Sequence, residues 1–153
     1  MLRATRQVGM KQTDDPPISP DVLWGEQISL ARRSGGLWVP FEKGRIRTIL
    51  MPQYRLTALN MEDPRIHEGL RVSIEAITRM SSITRKTGVR FMIVLIPTKE
   101  LVFFDTFGGN ADVKLRSVTE LVDEEQTMWT ELKNELRARG MSYIDVLPAL
   151  RNL

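Results

Sequence analysis

The chain has 153 residues, a formal charge of +3 and ordinary apolar and charged fractions, so it can form one folded domain and is not disordered throughout. It lacks cysteine, which excludes disulfides, thiolate nucleophiles and cysteine-based metal sites. Lysines and arginines are spread along the sequence rather than clustered in a stripe. That distribution favours a solvated surface over a nucleic-acid interface.

The first 20 residues are polar and end in the proline-rich run DDPPISP. Proline removes backbone donors from helices and strands, so residues 1–20 are predicted to form a flexible, exposed arm. Residues 21–153 are predicted to form a partial α/β domain. The sequence as written shows neither a signal peptide nor an apolar run long enough to span a bilayer, so a cytoplasmic location is the expectation from the sequence as written.

Three segments follow the arm. Residues 21–33 predict a short helix that ends before Gly35 and Gly36. Residues 37–41 (LWVPF) form an apolar patch that either docks on the core or serves as an exposed interaction patch. Residues 45–59 surround Pro52 and predict either a short edge strand or an irregular connector.

Residues 63–97 predict a capped helix followed by a buried strand. Asp63 can cap the helix, Pro64 suits its first position, and Gly88 suits the left-handed residue that ends it. One helical face carries an apolar stripe, which comprises Ile66, Leu70, Ile74, Ile77, Met80 and Thr84. The uninterrupted apolar strand, within residues 89–96, is typical of a strand covered by helices on both faces.

Residues 112–148 repeat this pattern. Asp112 can cap a long helix that ends near Gly140, and residues 143–147 form the second strand. The helix has an apolar stripe of Leu115, Val118, Val122, Trp129, Leu132 and Leu136. Its acidic residues predict a solvated face rather than a metal site, namely Glu120, Asp123, Glu124, Glu125 and Glu131. Two strands joined by such a helix predict a parallel βαβ unit.

Ligands of open α/β sheets bind beyond the carboxyl ends of the strands. Thr98, Lys99 and Glu100 follow the first strand and are the candidate substrate-binding residues, although a helix cap with exposed charges is the simpler interpretation. Asp145, in the second strand, can orient a histidine or act as a structural carboxylate bonded to backbone amides; the structural role is favoured.

Catalytic candidates are scarce. His67, the sole histidine, lies in the first turn of its helix with no prepared serine near it in the sequence. Residues 107–112 (FGGNAD) can make a tight turn but are a weak signal for an oxyanion or phosphate site. No catalytic residue, metal site or cofactor is predicted.

Four segments resemble the later half of SGNH (GDSL-like) hydrolase domains, in particular the alginate O-acetyltransferase-like envelope proteins. They are residues 50–56 (LMPQYRL), 63–70 (DPRIHEGL), 94–100 (VLIPTKE) and 143–151 (YIDVLPALR). The resemblance covers about residues 45–153, and the IPTKE strand end is its most specific element.

This resemblance implies a flavodoxin-like three-layer α/β/α sheet, incomplete in this chain. It also implies a serine enzyme acting on acyl esters, often on acylated carbohydrate, with a cell-envelope or periplasmic location. The Gly-Asp-Ser and Asp-x-x-His motifs that carry the family's catalytic residues are absent, and the chain stops about where the second would follow.

Two functions are therefore expected. The first is a fragment of an SGNH-type acyl-ester hydrolase or polysaccharide O-acetyltransferase, inactive as this chain, with the missing remainder of the domain or a second protein chain as its partner. The second is a non-catalytic α/β protein-interaction module that binds through the patch at residues 37–41. A nucleotide-binding flavodoxin-like domain is weaker, because no phosphate-binding glycine loop follows a strand.

Overall fold

A computed structural model describes residues 19–107 and 113–152, and within these ranges the protein is mixed α/β. The helices are α1 (Pro20–Arg33), α2 (Gln53–Leu59), α3 (Pro64–Lys86), α4 (Lys99–Phe103), α5 (Val113–Ala138) and α6 (Leu147–Arg151). The strands are β1 (Val39–Lys43), β2 (Ile46–Leu50), β3 (Ile93–Leu95) and β4 (Tyr143–Asp145). A 3₁₀ turn spans Phe104–Phe107. Most of the predicted arm, the proposed Asp112 cap and the residues of the glycine turn after Phe107 lie outside the described residues.

The two predicted helix-to-strand units are present and end their helices in the same way. Asp63 caps α3 by accepting a hydrogen bond from the Arg65 backbone N–H at 2.9 Å. Gly88 (φ 72°) and Gly140 (φ 62°) follow α3 and α5 in the left-handed conformation. The backbone N–H after each glycine donates a hydrogen bond to a carbonyl oxygen in the last helical turn, at 2.9 Å from Val89 to Thr84 and from Met141 to Leu136. This is the Schellman arrangement.

β3 and β4 form a parallel pair, as the βαβ prediction requires. The register pairs Ile93 with Tyr143, Val94 with Ile144 and Leu95 with Asp145. Both strands are shorter than predicted. In the described part of the chain, each has one strand neighbour only.

The prediction that the first strand is covered on both faces is wrong. α3 and α5 cover one face, where Ile93, Leu95 and Tyr143 pack with Trp129 and Leu136. The opposite face, which we call the outer sheet face, consists of Met92, Val94, Ile96 and Ile144. These side chains are between 46% and 74% exposed. The apolar run identified a strand with two apolar faces, but no described element covers the second one.

The segment from Leu37 to Leu59 is more regular than predicted. β1 and β2 pair as an antiparallel hairpin, and Gly44 (φ 58°) supplies the positive φ that its two-residue turn requires. The edge-strand alternative holds for β2, but α2 was not predicted. Pro52 precedes α2 as its N-cap residue, a position at which its missing N–H breaks no helical hydrogen bond.

The apolar patch at residues 37–41 docks on the core. Val39 and Phe41 are buried in a cluster with Leu50, Leu101 and Val118. The Phe41 ring stacks on Phe103 with centroids 4.4 Å apart. A second cluster surrounds Trp129 and Leu136, and α5 contributes to both clusters.

Adjacent residues of β3 test which face of the sheet carries stability. Ile93→Thr places a hydroxyl in the cluster of Trp129 and should lower the free energy of unfolding by about 2 kcal/mol. Val94→Thr changes the outer sheet face and should alter it by less than about 0.5 kcal/mol. Urea unfolding followed by circular dichroism measures both. Equal losses would show that the outer face is covered in the native protein.

Candidate functional site

The carboxyl ends of β3 and β4 lie side by side, because the parallel register pairs Leu95 with Asp145. Pro97 and Thr98 lead from β3 into α4. The Thr98 hydroxyl oxygen caps α4 by accepting a hydrogen bond from the Leu101 backbone N–H at 3.2 Å. The helix-cap interpretation of Thr98 is therefore confirmed.

Thr98 is also held by a buried carboxylate on α5. Its backbone N–H donates to Glu125 Oε1 at 2.8 Å, and its hydroxyl donates to Glu125 Oε2. The Glu125 residue is only 2% exposed. Burial raises the pKa of Glu125, and the nearby Glu100 charge raises it further, whereas the Thr98 hydrogen bonds and the Arg55 charge oppose the rise.

Glu100 connects α4 to the end of β2. It is 1% exposed, and its Oε1 accepts a hydrogen bond from the Met51 backbone N–H at 3.0 Å. Its Oε2 is buried without a hydrogen-bond partner among the described residues. Glu100 is thus not the solvent-exposed charge that the simpler interpretation assumed.

Lys99 reaches the hairpin on the other side. Its ammonium donates to the Ile49 carbonyl oxygen and, at 3.2 Å, to the Thr48 hydroxyl. The three candidate substrate-binding residues therefore make contacts within the protein: Thr98 with α5, and Lys99 and Glu100 with β2 and the residue after it. Their proposed role towards a substrate stays a prediction.

Asp145 is a structural carboxylate, as favoured from the sequence. Its Oδ1 accepts a hydrogen bond from the Leu147 backbone N–H at 3.0 Å, and its Oδ2 pairs with Lys133 Nζ at 2.6 Å. Partial burial opposes ionisation, but these two donors outweigh it and the pKa of Asp145 is lowered. The Lys133 ammonium also lies 4.8 Å from the centre of the Trp129 ring.

His67 and Asp145 do not form a catalytic pair. His67 Nε2 lies 3.3 Å from Glu131 Oε1, and both side chains are largely exposed. Within residues 19–107 and 113–152, no serine hydroxyl hydrogen-bonds to His67. This arrangement lacks the nucleophile and base contact of a serine triad.

The prediction that all acidic residues of α5 are solvated is wrong for Glu125. It lies four residues after Leu121 and four before Trp129, so it occupies the buried face of α5. Helical spacing alone could have identified it, since Leu121 and Trp129 bracket it on the same face. Spacing could not predict that its hydrogen-bond partner is the backbone N–H of Thr98, which lies after β3.

Other site types have little support in the described ranges. No three acidic or histidine side chains there are arranged to hold a metal ion. No described helix combines the length and apolarity needed to cross a bilayer. A surface depression of about 630 Å³ is lined only by residues of α5, between Asp123 and Glu135, and is one face of a helix rather than a cleft.

Comparisons with protein-family models, with curated proteins and with solved structures find no match to this chain.

Glu125 predicts an unusual pH dependence. A carboxyl whose pKa is raised by folding contributes stability that is fully present below its ordinary pKa and is lost as pH rises through the folded value. Glu125→Gln keeps an acceptor for the Thr98 N–H and cannot ionise. We expect this variant to be at least as stable as the native chain at neutral pH. We also expect it to lack the fall in unfolding free energy that ionisation of Glu125 causes as pH rises.

The measurement is the difference in unfolding free energy between native and variant chains from acidic to neutral pH. Asp123→Asn, which changes an exposed carboxylate on the same helix, serves as the control. A native-minus-variant difference that does not change with pH would contradict the assignment to Glu125.

Proposed function

We propose that this chain is part of an SGNH-type acyl-ester hydrolase or polysaccharide O-acetyltransferase domain and is inactive as this polypeptide. Support comes from the four segments that resemble the family and from the parallel β3–β4 unit that joins two of them. The observation that carries the proposal is the outer sheet face, which is apolar and uncovered by any described element.

Parallel sheets are buried on both faces in α/β domains, because their crossover helices cover both sides. The pairing of Val94 with Ile144 on the outer sheet face is the composition expected under a second helical layer. β3 and β4 also each lack a second strand neighbour in the described ranges. An incomplete three-layer sheet, completed by further strands and helices of the same domain, accounts for both features.

The contacts of the candidate groups support the proposal of inactivity. Asp145 bonds to Lys133 and to the Leu147 backbone N–H rather than to a histidine, and no serine hydroxyl within the described ranges hydrogen-bonds to His67. Thr98, Lys99 and Glu100 retain a proposed substrate-contacting role only in the completed domain, where the C-terminal end of the sheet would form part of a larger cleft.

A second candidate is a non-catalytic α/β protein-interaction module. The outer sheet face favours it, because large exposed apolar patches often mark protein-binding surfaces. The patch at residues 37–41 is less suited to that role, since Val39 and Phe41 are buried in the core.

Inactivity predicts that a fluorophosphonate, which reacts with prepared serine nucleophiles, adds to no serine of the pure chain. Intact-mass spectrometry measures the adduct, and a known serine esterase is the positive control. An adduct that disappears when one serine is changed to alanine would overturn the inactivity proposal.

The genomic DNA on both sides of the reading frame separates the two candidates. A Gly-Asp-Ser motif encoded upstream and an Asp-x-x-His motif downstream would support the enzyme fragment, and the reconstructed chain should then react with the fluorophosphonate. Absence of both motifs from all frames would favour the interaction module.

A further inference from the structure

A groove of about 310 Å³ lies between α1 and β2, away from the outer sheet face. Its apolar lining comes from Leu30, Ala31, Ile49 and Met51, and its polar lining includes Thr48 and Lys99. The Lys99 ammonium lies against this lining, because its hydrogen-bond acceptors belong to Thr48 and Ile49. An apolar groove with a few polar groups is the usual composition of a small-molecule site.

The charge of Lys99 is not balanced by a carboxylate. An ammonium has three donors; Lys99 uses two of them on neutral oxygens and forms no ion pair with a described Asp or Glu. The neighbouring Glu100 directs Oε1 to the Met51 backbone N–H instead. A partly buried cation of this kind is stabilised by an anion that enters the groove.

Helix α1 places its carboxyl end beside the groove, and a helix carboxyl end repels anions. Arg32 and Arg33 lie in the last turn of α1 and offset that potential. Among the described residues that line the groove, Lys99 is the one with a charged side chain.

We infer that this groove binds a small amphipathic carboxylate. The carboxylate accepts hydrogen bonds from the Lys99 ammonium and the Thr48 hydroxyl, and the hydrocarbon packs against Leu30, Ala31 and Ile49. A volume of about 310 Å³ lies at the lower end of the range for ligand pockets, so the ligand is small. This inference does not rest on the proposed function: Lys99 is a proposed substrate contact there as well, but the groove uses neither the outer sheet face nor a missing part of a domain.

Octanoate is a suitable probe, because it has the required size and a single charge. We expect its titration into the ¹⁵N-labelled full chain, below its micelle concentration, to shift the amide signals of Ala31, Thr48 and Ile49 saturably. Octan-1-ol and octylammonium, which share the hydrocarbon, should bind at least about tenfold more weakly, because a charge-assisted hydrogen bond is lost.

Two matched pairs of variants locate the site. Lys99→Gln should weaken octanoate binding about tenfold or more, whereas Lys86→Gln, at an exposed lysine ending α3, should leave it unchanged. Leu30→Asp introduces a repelling carboxylate at an exposed helical position and should abolish binding, whereas Leu30→Asn should retain most of it. The second pair leaves Lys99 in place, so it remains informative if Lys99→Gln does not fold.

Several outcomes would overturn the inference. They are the absence of saturable shifts at millimolar octanoate, equal shifts with octylammonium, and undiminished octanoate binding by folded Lys99→Gln or Leu30→Asp. Shifts at the outer sheet face alone would assign the binding to non-specific hydrocarbon contact.

Discussion

The contact between Thr98 and Glu125 joins the parts of this protein. Glu125 lies on α5 between the residues that fill the cluster around Phe41 and those that fill the cluster around Trp129. Its carboxylate takes both donors of Thr98, at the residue where β3 ends and α4 begins. Lys99 and Glu100 follow immediately and bind the backbone at the end of the hairpin. Three successive residues therefore fix α5, the parallel strands and the hairpin relative to one another.

That arrangement explains why residues 98–100, which the sequence suggests as ligand contacts, have a structural role. Polar residues at the carboxyl end of a parallel strand are good candidates for ligand contacts, yet the same position must also anchor the following helix. In this chain the anchoring uses buried carboxylates, whose desolvation is costly unless several donors compensate it. Glu125 has two such donors from Thr98, whereas Glu100 keeps one oxygen without a partner among the described residues.

Local signals in the sequence predicted the helix ends well. Asp63 and Pro64 start α3, and Gly88 and Gly140 end α3 and α5 respectively. Each acts on the adjacent helical turn, so residue type and spacing suffice to identify it. α2 was missed because Pro52 fits a helix start as well as a strand end. The exposure of Val94 depends on which distant elements pack against its strand. Composition cannot reveal it, because an apolar strand has the same sequence whether or not its second face is covered.

The short β3–β4 ladder has a consequence for the order of assembly. Three residue pairs hold two strands that are separated along the chain by α4 and the whole of α5. Closing so long a loop costs conformational entropy that three pairs cannot offset alone. We therefore expect the strands to pair only after α5 has docked, and the ladder to open when α5 undocks. The rate of amide hydrogen exchange in β3 and β4 should accordingly depend on how stably α5 is docked.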